Sequence, residues 1–247
     1  MCRHLAYLGP PVPLSRLLFE PPHSLSRQSW APRDMRGGGT INADGFGIGW
    51  YAPGGPVRYR RATPLWSDAT LPALAASVSA GGMLAAVRSA TVGMPVTESA
   101  AAPFAEGDWL FSHNGVVAGW PGSVAKLAST LPPVDLLTLD APTDAALLWA
   151  LVRDRLRRGT GPREAVAGTI AEVAAAAPGS RLNLLLTDGT TIVASTYGHA
   201  LSFLAGAGSV LVGSEPLDDD PGWQAVPDRT LLVATPAGRH LIPLEES

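Results

Sequence analysis

The single cysteine of this 247-residue chain, Cys2, directly follows the initiator methionine. A thiol becomes a strong nucleophile once a base has taken its proton. A free α-amine, with a pKa of about 8, supplies such a base within the same residue. Cysteine is small enough to allow removal of Met1, so we expect a mature chain that begins with Cys2 as its nucleophile. The alternative is a buried cysteine that serves only as a small apolar side chain.

Two polar motifs stand where apolar strands should end. Arg88 follows Ala85-Ala86-Val87, and its planar guanidinium is suited to hold a carboxylate through two parallel hydrogen bonds. An ordinary ion pair is the alternative. Asn114 and Gly115 offer a side-chain amide and a backbone N–H to a developing oxyanion. An Asn-Gly hairpin turn is the alternative there, and the neighbouring His113 is not needed as a base.

Two further patterns do not indicate a cofactor or a metal. The glycines of Asp44-Gly45-Phe46-Gly47-Ile48-Gly49-Trp50 lack the GxGxxG spacing of a dinucleotide loop and belong to a strand rather than opening a helix. Close packing of strands near the nucleophile explains them better. The run Asp218-Asp219-Asp220 has no histidine or further carboxylates at ligand spacing, so we interpret it as a solvated turn. We expect no cofactor and no metal.

Composition and charge exclude several classes of partner. Hydrophobic residues make up 46% of the chain and charged residues 16%, which fits one well-cored domain over residues 2–247. The net charge of −3 indicates no basic surface for nucleic acid or an anionic membrane. No apolar run approaches the roughly 18 residues of a membrane span, and the prolines near the N-terminus do not suit a signal peptide. We expect a cytoplasmic protein whose partner is a small molecule.

The elements that must position these residues are strands at both ends of the chain and helices between them. The strongest helix prediction is Thr143–Arg158, with its apolar residues on one face; Arg163–Ala177 is a second helix and Leu71–Ser79 a short one after the capping pair Ser67-Asp68. Residues 21–40 are predicted to form a long surface loop. Strands are predicted over Met1–Leu8, Gly45–Ala52, Val57–Ala62, Met83–Ala90, Trp109–Val117, Leu182–Thr187, Thr191–Thr196, Leu201–Leu204, Val210–Gly213 and Leu231–Thr235. This order favours an α+β fold of two stacked antiparallel sheets flanked by helices.

Taken in order, the motifs resemble one known family. Cys2 after Met1, then Asp-Gly-Phe-Gly-Ile-Gly-Trp, Val-Arg-Ser-Ala-Thr, Ser-His-Asn-Gly and a Thr-Asp pair that opens a helix are similar to the class II glutamine amidotransferases. These are N-terminal-nucleophile hydrolases with a four-layer α/β/β/α sandwich of two antiparallel sheets. The resemblance implies that Cys2 attacks the γ-carbonyl of glutamine, that its α-amine assists proton transfer, and that Asn114 and Gly115 form the oxyanion hole.

The same resemblance implies substrate-binding residues. Arg88 would hold the substrate α-carboxylate, Asp144 the α-ammonium, and Thr91 would support the pocket. The family has an aromatic residue directly after this arginine, whereas Ser89 stands here, so that wall of the pocket should differ. Typical members continue into a domain that consumes ammonia, and 247 residues leave no room for one. We therefore expect no ammonia channelling unless a separate partner supplies the second site.

A closer resemblance extends over nearly the whole chain. Residues 1–5, 62–66, 86–95 and 214–223 look like the γ-glutamyl-hercynylcysteine sulfoxide hydrolases of ergothioneine biosynthesis, which remove a γ-glutamyl group by hydrolysis. Their leaving group carries a trimethylammonium, a cation that favours aromatic faces. We predict Trp66 and Trp223 as its contacts, with an ordinary core position as the alternative for each.

Two other functions stay open at this point. One is a generic class II amidotransferase or glutaminase that acts on glutamine or another γ-glutamyl amide. The other is a non-catalytic subunit that binds a γ-glutamyl ligand. A homodimer is compatible with the sequence.

Overall fold

The strands form two antiparallel sheets in residues 2–35 and 41–244, which the computed structural model describes. In pairing order, the first sheet contains β11 (Gln224–Ala225), β9 (Ser202–Gly206), β10 (Ser209–Gly213), β1 (Arg3–Pro13), β4 (Ser79–Val87), β2 (Phe46–Ala52) and β3 (Gly55–Arg61). The second contains β13 (Gly238–Pro243), β12 (Thr230–Thr235), β8 (Ile192–Thr196), β7 (Arg181–Thr187), β6 (Trp109–Val116) and β5 (Phe104–Glu106).

Helices cover the outer face of each sheet. Three short helices pack on the first sheet: α1 (Ser15–Leu18), α2 (Leu25–Gln28) and α3 (Leu71–Ser77). The second sheet carries α4 (Ala125–Ala128), α5 (Pro133–Leu137), α6 (Asp144–Arg157) and α7 (Pro162–Ala176). The predicted four-layer α/β/β/α sandwich is therefore confirmed. None of the helices in the described residues is long and apolar enough to cross a membrane.

Side-chain alternation along the strands divides the core into three layers. In β1, Ala6 and Leu8 pack between the sheets, whereas Leu5 and Tyr7 pack under the helices of the first sheet. This follows from the two-residue period of a strand, because successive side chains point to opposite faces. The third layer lies between the second sheet and α6 and α7, where the rings of Phe111 and Trp149 stack at 5.4 Å.

The helix predicted over Thr143–Arg158 is α6, and its start has a clear cause. The hydroxyl of Thr143 accepts a hydrogen bond from the Ala146 N–H at 3.2 Å, so this residue is the N-cap and the helix begins at Asp144. The predicted Arg163–Ala177 corresponds to α7, shifted by one residue at each end. The N-cap matters for function because it places Asp144 at a helix start.

The predictions were wrong at several element ends. The first strand does not stop at Gly9, since β1 continues to Pro13 after a register shift between Leu8 and Val12 that accommodates the prolines. The predicted helix Leu71–Ser79 ends at Ser77 because β4 already begins at Ser79. The predicted loop 21–40 contains α2, capped by Ser24; its residues 36–40, like Met1, lie outside the described residues.

Candidate active site

Five of the predicted site residues come together around one cavity. They are Cys2, Arg88, Thr91, Gly115 and Asp144, and they come from four separate parts of the chain. The pairing of Arg3 with Val87 explains half of this arrangement. Because β1 and β4 are antiparallel, the residue before β1 and the residue after β4 are neighbours, and these are Cys2 and Arg88.

Cys2 lies at the edge of the space between the two sheets. Its side chain is partly buried, and Sγ lies 3.9 Å from the carbonyl oxygen of Ser89. The alternation that directs Ala6 and Leu8 toward the second sheet places Cys2 on the same face. The thiol therefore faces β6, the strand that carries Asn114 and Gly115.

Arg88 is buried, and its backbone is held on both sides. Its N–H donates to the Gly45 carbonyl at 2.8 Å, and its carbonyl accepts from the Asp44 N–H at 2.9 Å. The guanidinium Nη1 donates to the Pro95 carbonyl at 2.8 Å. No carboxylate in the described part of the chain pairs with this guanidinium, so the ordinary ion pair is not what the structure contains. A buried, unpaired guanidinium is suited to bind an anionic ligand.

Asp144 supplies the opposite charge to the same cavity. It is the first residue of α6, where the helix dipole favours a carboxylate. Its Oδ2 accepts from the Val117 N–H at 3.0 Å and its Oδ1 from the Ala145 N–H at 2.8 Å. Both oxygens are thus oriented by backbone groups, and the described residues provide no cation for this carboxylate. A substrate ammonium can take that place.

Asn114 and Gly115 lie within strand β6 and not in a hairpin turn, because they pair with Asn183 and Leu182 of β7. The turn alternative is therefore wrong. A Cβ at position 115 would lie 1.9 Å from the Arg181 carbonyl oxygen, so only glycine fits there. Asn114 is buried, and its Nδ2 lies 3.4 Å from the Ser214 hydroxyl.

Ser214 is a site residue that the sequence analysis did not single out. Its hydroxyl accepts from the His4 N–H at 3.0 Å and from the Asn114 amide, and it lies 3.3 Å from the His4 carbonyl. It therefore joins the candidate oxyanion donor to the strand that follows Cys2. The only signal in the sequence is its place at the start of the segment 214–223.

Two nearby histidines, His4 and His113, each have a hydrogen-bond partner within the protein. His4 is fully buried with Nδ1 3.2 Å from the Ser112 hydroxyl. Burial, together with the nearby charges of His113, Arg3 and His199, lowers the pKa of His4 to about 3. His113 Nε2 lies 3.0 Å from the Arg181 carbonyl, which holds its ring in place.

The sequence profile of the glutamine amidotransferases class-II matches residues 17–207. This chain belongs to that family. Two curated relatives, the γ-glutamyl-hercynylcysteine sulfoxide hydrolases of Mycobacterium tuberculosis and Mycolicibacterium smegmatis, are each 41% identical to it. The alignments cover 100% and 99% of this chain and 98% and 100% of the relatives.

A solved structure leads to the same family. The glutamine aminotransferase class-II domain protein from Silicibacter pomeroyi superimposes with a TM-score of 0.71 at 25% identity, over 99% of this chain and 100% of that one. The solved structure therefore supports the class II amidotransferase fold of this chain.

This class II amidotransferase departs from the family motif at Ser89, and the structure shows what stands there. Ser89 lines the cavity, and its backbone carbonyl is the group beside the Cys2 thiol. Thr91 also lines the cavity and is exposed, and its backbone carbonyl accepts from the Met94 N–H at 2.9 Å in a turn. The position directly after Arg88 therefore contributes a small polar residue and a backbone carbonyl to the cavity instead of an aromatic ring.

The glycines of β2 allow this class II amidotransferase to pack tightly behind the cavity. A Cβ on Gly47 would lie 2.2 Å from the carbonyl oxygen of Ala102, a cavity-lining residue. A Cβ on Gly49 would lie 2.8 Å from Leu110 Cδ1. Close approach of the strands near the nucleophile, as the sequence predicted, accounts for both positions.

The two predicted tryptophans lie outside this cavity. Trp66 is 43% exposed on a 3₁₀ turn, Leu65–Ser67. Trp223 packs against the core under the first sheet and donates from Nε1 to Asp218 Oδ1 at 2.8 Å. Asp218 and Asp220 accept backbone N–H bonds within the turn 218–222. The geometry brings neither tryptophan to Cys2, and their contact with a substrate stays a prediction.

Proposed function

We propose that this chain hydrolyses the γ-glutamyl amide bond of γ-glutamyl-hercynylcysteine sulfoxide to glutamate and hercynylcysteine sulfoxide, in the biosynthesis of ergothioneine. One observation carries the proposal. Relatives that bear the name of this hydrolase are 41% identical over essentially the full length of both chains. The cavity with Cys2, Arg88 and Asp144 supports it, because a γ-glutamyl group offers a carboxylate and an ammonium for the two charged residues.

The charged residues would set the position of the scissile bond. Arg88 binds the α-carboxylate of the γ-glutamyl group through the N–H groups that Pro95 does not use. Asp144 binds the α-ammonium with oxygens already oriented by two backbone N–H groups. With the amino-acid end held at two points, the γ-carbonyl reaches the thiol of Cys2 in one orientation.

The chemistry then proceeds in two steps that share one base. The α-amine of Cys2 takes the thiol proton, and the thiolate attacks the γ-carbonyl carbon. Asn114 and the Gly115 N–H donate to the oxyanion. The C–N bond breaks as the α-ammonium protonates the leaving amine, which leaves a thioester on Cys2. The α-amine then takes a proton from water, the resulting hydroxide attacks the thioester, and glutamate leaves as the thiol is restored.

Glutamate release from two substrates tests the proposal. A glutaminase shares every acyl-transfer step, so the leaving group must distinguish the two functions. We expect kcat/KM for γ-glutamyl-hercynylcysteine sulfoxide to exceed that for glutamine by about a hundredfold or more, roughly 2.7 kcal/mol. Equal values would contradict the ergothioneine assignment and favour a general glutaminase. Binding of either substrate without glutamate release would indicate a non-catalytic subunit.

Two further properties belong to this proposal. We place the enzyme in the cytoplasm, in keeping with the absence of a membrane-crossing helix from the described residues. Its partner is the small-molecule substrate. A homodimer stays a prediction, which light scattering of the purified protein would test.

A further inference from the structure

Asp44 lies beside the segment that leads from β4 into the cavity that contains Cys2. The strands β2 and β4 are antiparallel partners, and two backbone hydrogen bonds extend their pairing beyond the strand ends. The Arg88 N–H donates to the Gly45 carbonyl at 2.8 Å, and the Asp44 N–H donates to the Arg88 carbonyl at 2.9 Å. The backbone of residues 44 and 45 thus holds both sides of Arg88.

The carboxylate of Asp44 adds one further bond to this pairing. Its Oδ2 accepts from the Ala90 N–H at 2.8 Å. An ionised acceptor makes a stronger bond to a backbone N–H than a neutral acceptor does. Asp44 therefore fixes two consecutive peptide groups, 88–89 through its own backbone N–H and 89–90 through its side chain.

The second of these peptide groups faces the nucleophile. The Ser89 carbonyl and the Ala90 N–H belong to one planar unit, and in a trans peptide they point in opposite directions. Neither cis peptide of the described residues lies in this segment. Because the N–H points at Asp44, the carbonyl points to the opposite side, where its oxygen lies 3.9 Å from Cys2 Sγ. That oxygen is an acceptor for the weak S–H donor of a cysteine.

The Ser89 carbonyl matters because it is the hydrogen-bond partner of the Cys2 thiol in the described part of the chain. A side chain with one torsion otherwise chooses among three staggered positions. Cys2, Ser89 and Arg88 line the same cavity, so the position beside Ser89 keeps Sγ close to where Arg88 and Asp144 would hold a γ-glutamyl group. A misplacement of about 1 Å can lower a rate by on the order of a hundredfold.

We infer that Asp44 is a positioning residue for the nucleophile: by holding the 89–90 peptide group, it directs the Ser89 carbonyl at the Cys2 thiol and keeps Sγ in the cavity. Asp44 is not among the described residues that line this cavity, so it acts through the peptide group and not on the substrate. The role of Cys2 as nucleophile rests on the proposed function; the contact that Asp44 makes does not.

Three substitutions separate the position of the Asp44 acceptor from its charge. Asp44→Ala removes the acceptor, Asp44→Glu keeps the charge but displaces the carboxylate by one methylene, and Asp44→Asn keeps a side-chain carbonyl without the charge. We expect kcat for glutamate release to fall by about tenfold or more in Asp44→Ala and Asp44→Glu. In Asp44→Asn it should stay within about threefold of native. KM should change by less than about twofold in all three, because Arg88 keeps its backbone bonds.

Asp188→Ala is the matched control for loss of a carboxylate that binds backbone N–H groups. Asp188 Oδ1 accepts from the Thr190 and Thr191 N–H groups in the turn after β7, and this variant should have native kcat. A kcat in Asp44→Asn as low as in Asp44→Ala would assign the effect to the charge and overturn the inference. Native kcat in Asp44→Ala or in Asp44→Glu would overturn it as well. The Asn and Glu variants decide the question if Asp44→Ala does not fold.

Alkylation of the thiol tests the same contact without turnover. Cys2 is the single cysteine of the chain, so labelling with iodoacetamide reports on it alone. The labelling rate should rise by about threefold or more in Asp44→Ala and Asp44→Glu, since the thiol is no longer held by the Ser89 carbonyl. In Asp44→Asn it should match the native rate, and equal rates in all variants would overturn the inference. If the native enzyme releases glutamate from neither γ-glutamyl-hercynylcysteine sulfoxide nor glutamine, the proposed function fails, and the labelling rates still decide the role of Asp44.

Discussion

Arg3 and Glu215, 212 positions apart in the chain, form an almost completely buried ion pair with Nε and Oε1 at 2.8 Å. The other oxygen of Glu215 accepts from the Arg33 N–H at 2.7 Å. Arg3 Nη1 donates to the Cys2 carbonyl at 3.1 Å, and Nη2 donates to the Asp34 carbonyl. The pair thus connects the backbone of Cys2 to the segment that contains Arg33 and Asp34.

Removing one member of this pair should destabilise the protein strongly. Glu215→Ala leaves a buried guanidinium unpaired, which costs about 3–5 kcal/mol of unfolding free energy. The double variant with Arg3→Met and Glu215→Leu should be markedly more stable than Glu215→Ala, because no buried charge is left uncompensated. Urea unfolding measures both. Asp219→Ala, which removes the exposed ion pair to Arg33, is the control and should change stability little; a similar loss there would rule out this explanation.

Removal of Met1 should be required for turnover. If the α-amine of Cys2 is the base, a chain that retains any residue before Cys2 should be folded but inactive. Intact-mass analysis of the active fraction should therefore find only chains without Met1. Cys2→Ala should also be inactive, since it removes the nucleophile, with an unfolding midpoint close to native. Full activity in a chain that still carries Met1 would exclude this mechanism.

Even conservative substitutions of Arg88 and Asp144, the charged residues of the cavity that contains Cys2, should lower activity. Arg88→Lys keeps the charge but loses the planar fork, and Asp144→Asn removes the charge that faces the ammonium. Each should lower kcat/KM by on the order of 2–5 kcal/mol of transition-state stabilisation. Arg158→Lys changes an exposed arginine at the end of α6 and should be silent. Near-native kcat/KM in both site variants would mean that the γ-glutamyl group binds elsewhere.

Acid should weaken the fold through His4. The pKa of His4 is lowered to about 3 in the folded protein, against 6.5 for an ordinary histidine, so the unfolded chain takes up the proton first. Its stabilising contribution is complete above pH 6.5 and is lost as the pH falls toward 3, at up to about 1.4 kcal/mol per pH unit.

The matched variants His4→Gln and His240→Gln test this effect, since His240 is exposed on β13. Urea unfolding between pH 7 and pH 4 should show a gap in unfolding free energy between the native protein and His4→Gln, and this gap should narrow as the pH falls. The gap between native and His240→Gln should stay constant. A His4→Gln gap that does not change with pH would assign the acid sensitivity to other groups.

The sequence by itself was sufficient to identify the candidate site residues that lie at the ends of single strands and helices. Arg88 closes an apolar run, Asp144 follows a capping threonine, and Cys2 precedes the first strand. Their order along the chain sufficed to predict the family and its four-layer sandwich. The long helices α6 and α7 were predicted to within one residue because hydrophobic periodicity over many residues is a strong local signal.

Only the tertiary structure decided how distant segments meet. Ser214 and Glu215 act on Asn114 and Arg3, which lie about a hundred or more positions away in the chain. The strands β5 and β11 were not predicted, since segments of three and two residues are too brief to show a period. The six residues of β13 were also missed, because nearly all of them are exposed and the segment has no buried apolar face to mark it as a strand. The sequence also did not show that Trp66 and Trp223 lie outside the cavity. The local sequence pattern indicates which face of a helix or strand is apolar. The cavity between elements depends on strand pairing and side-chain packing, which no single segment encodes.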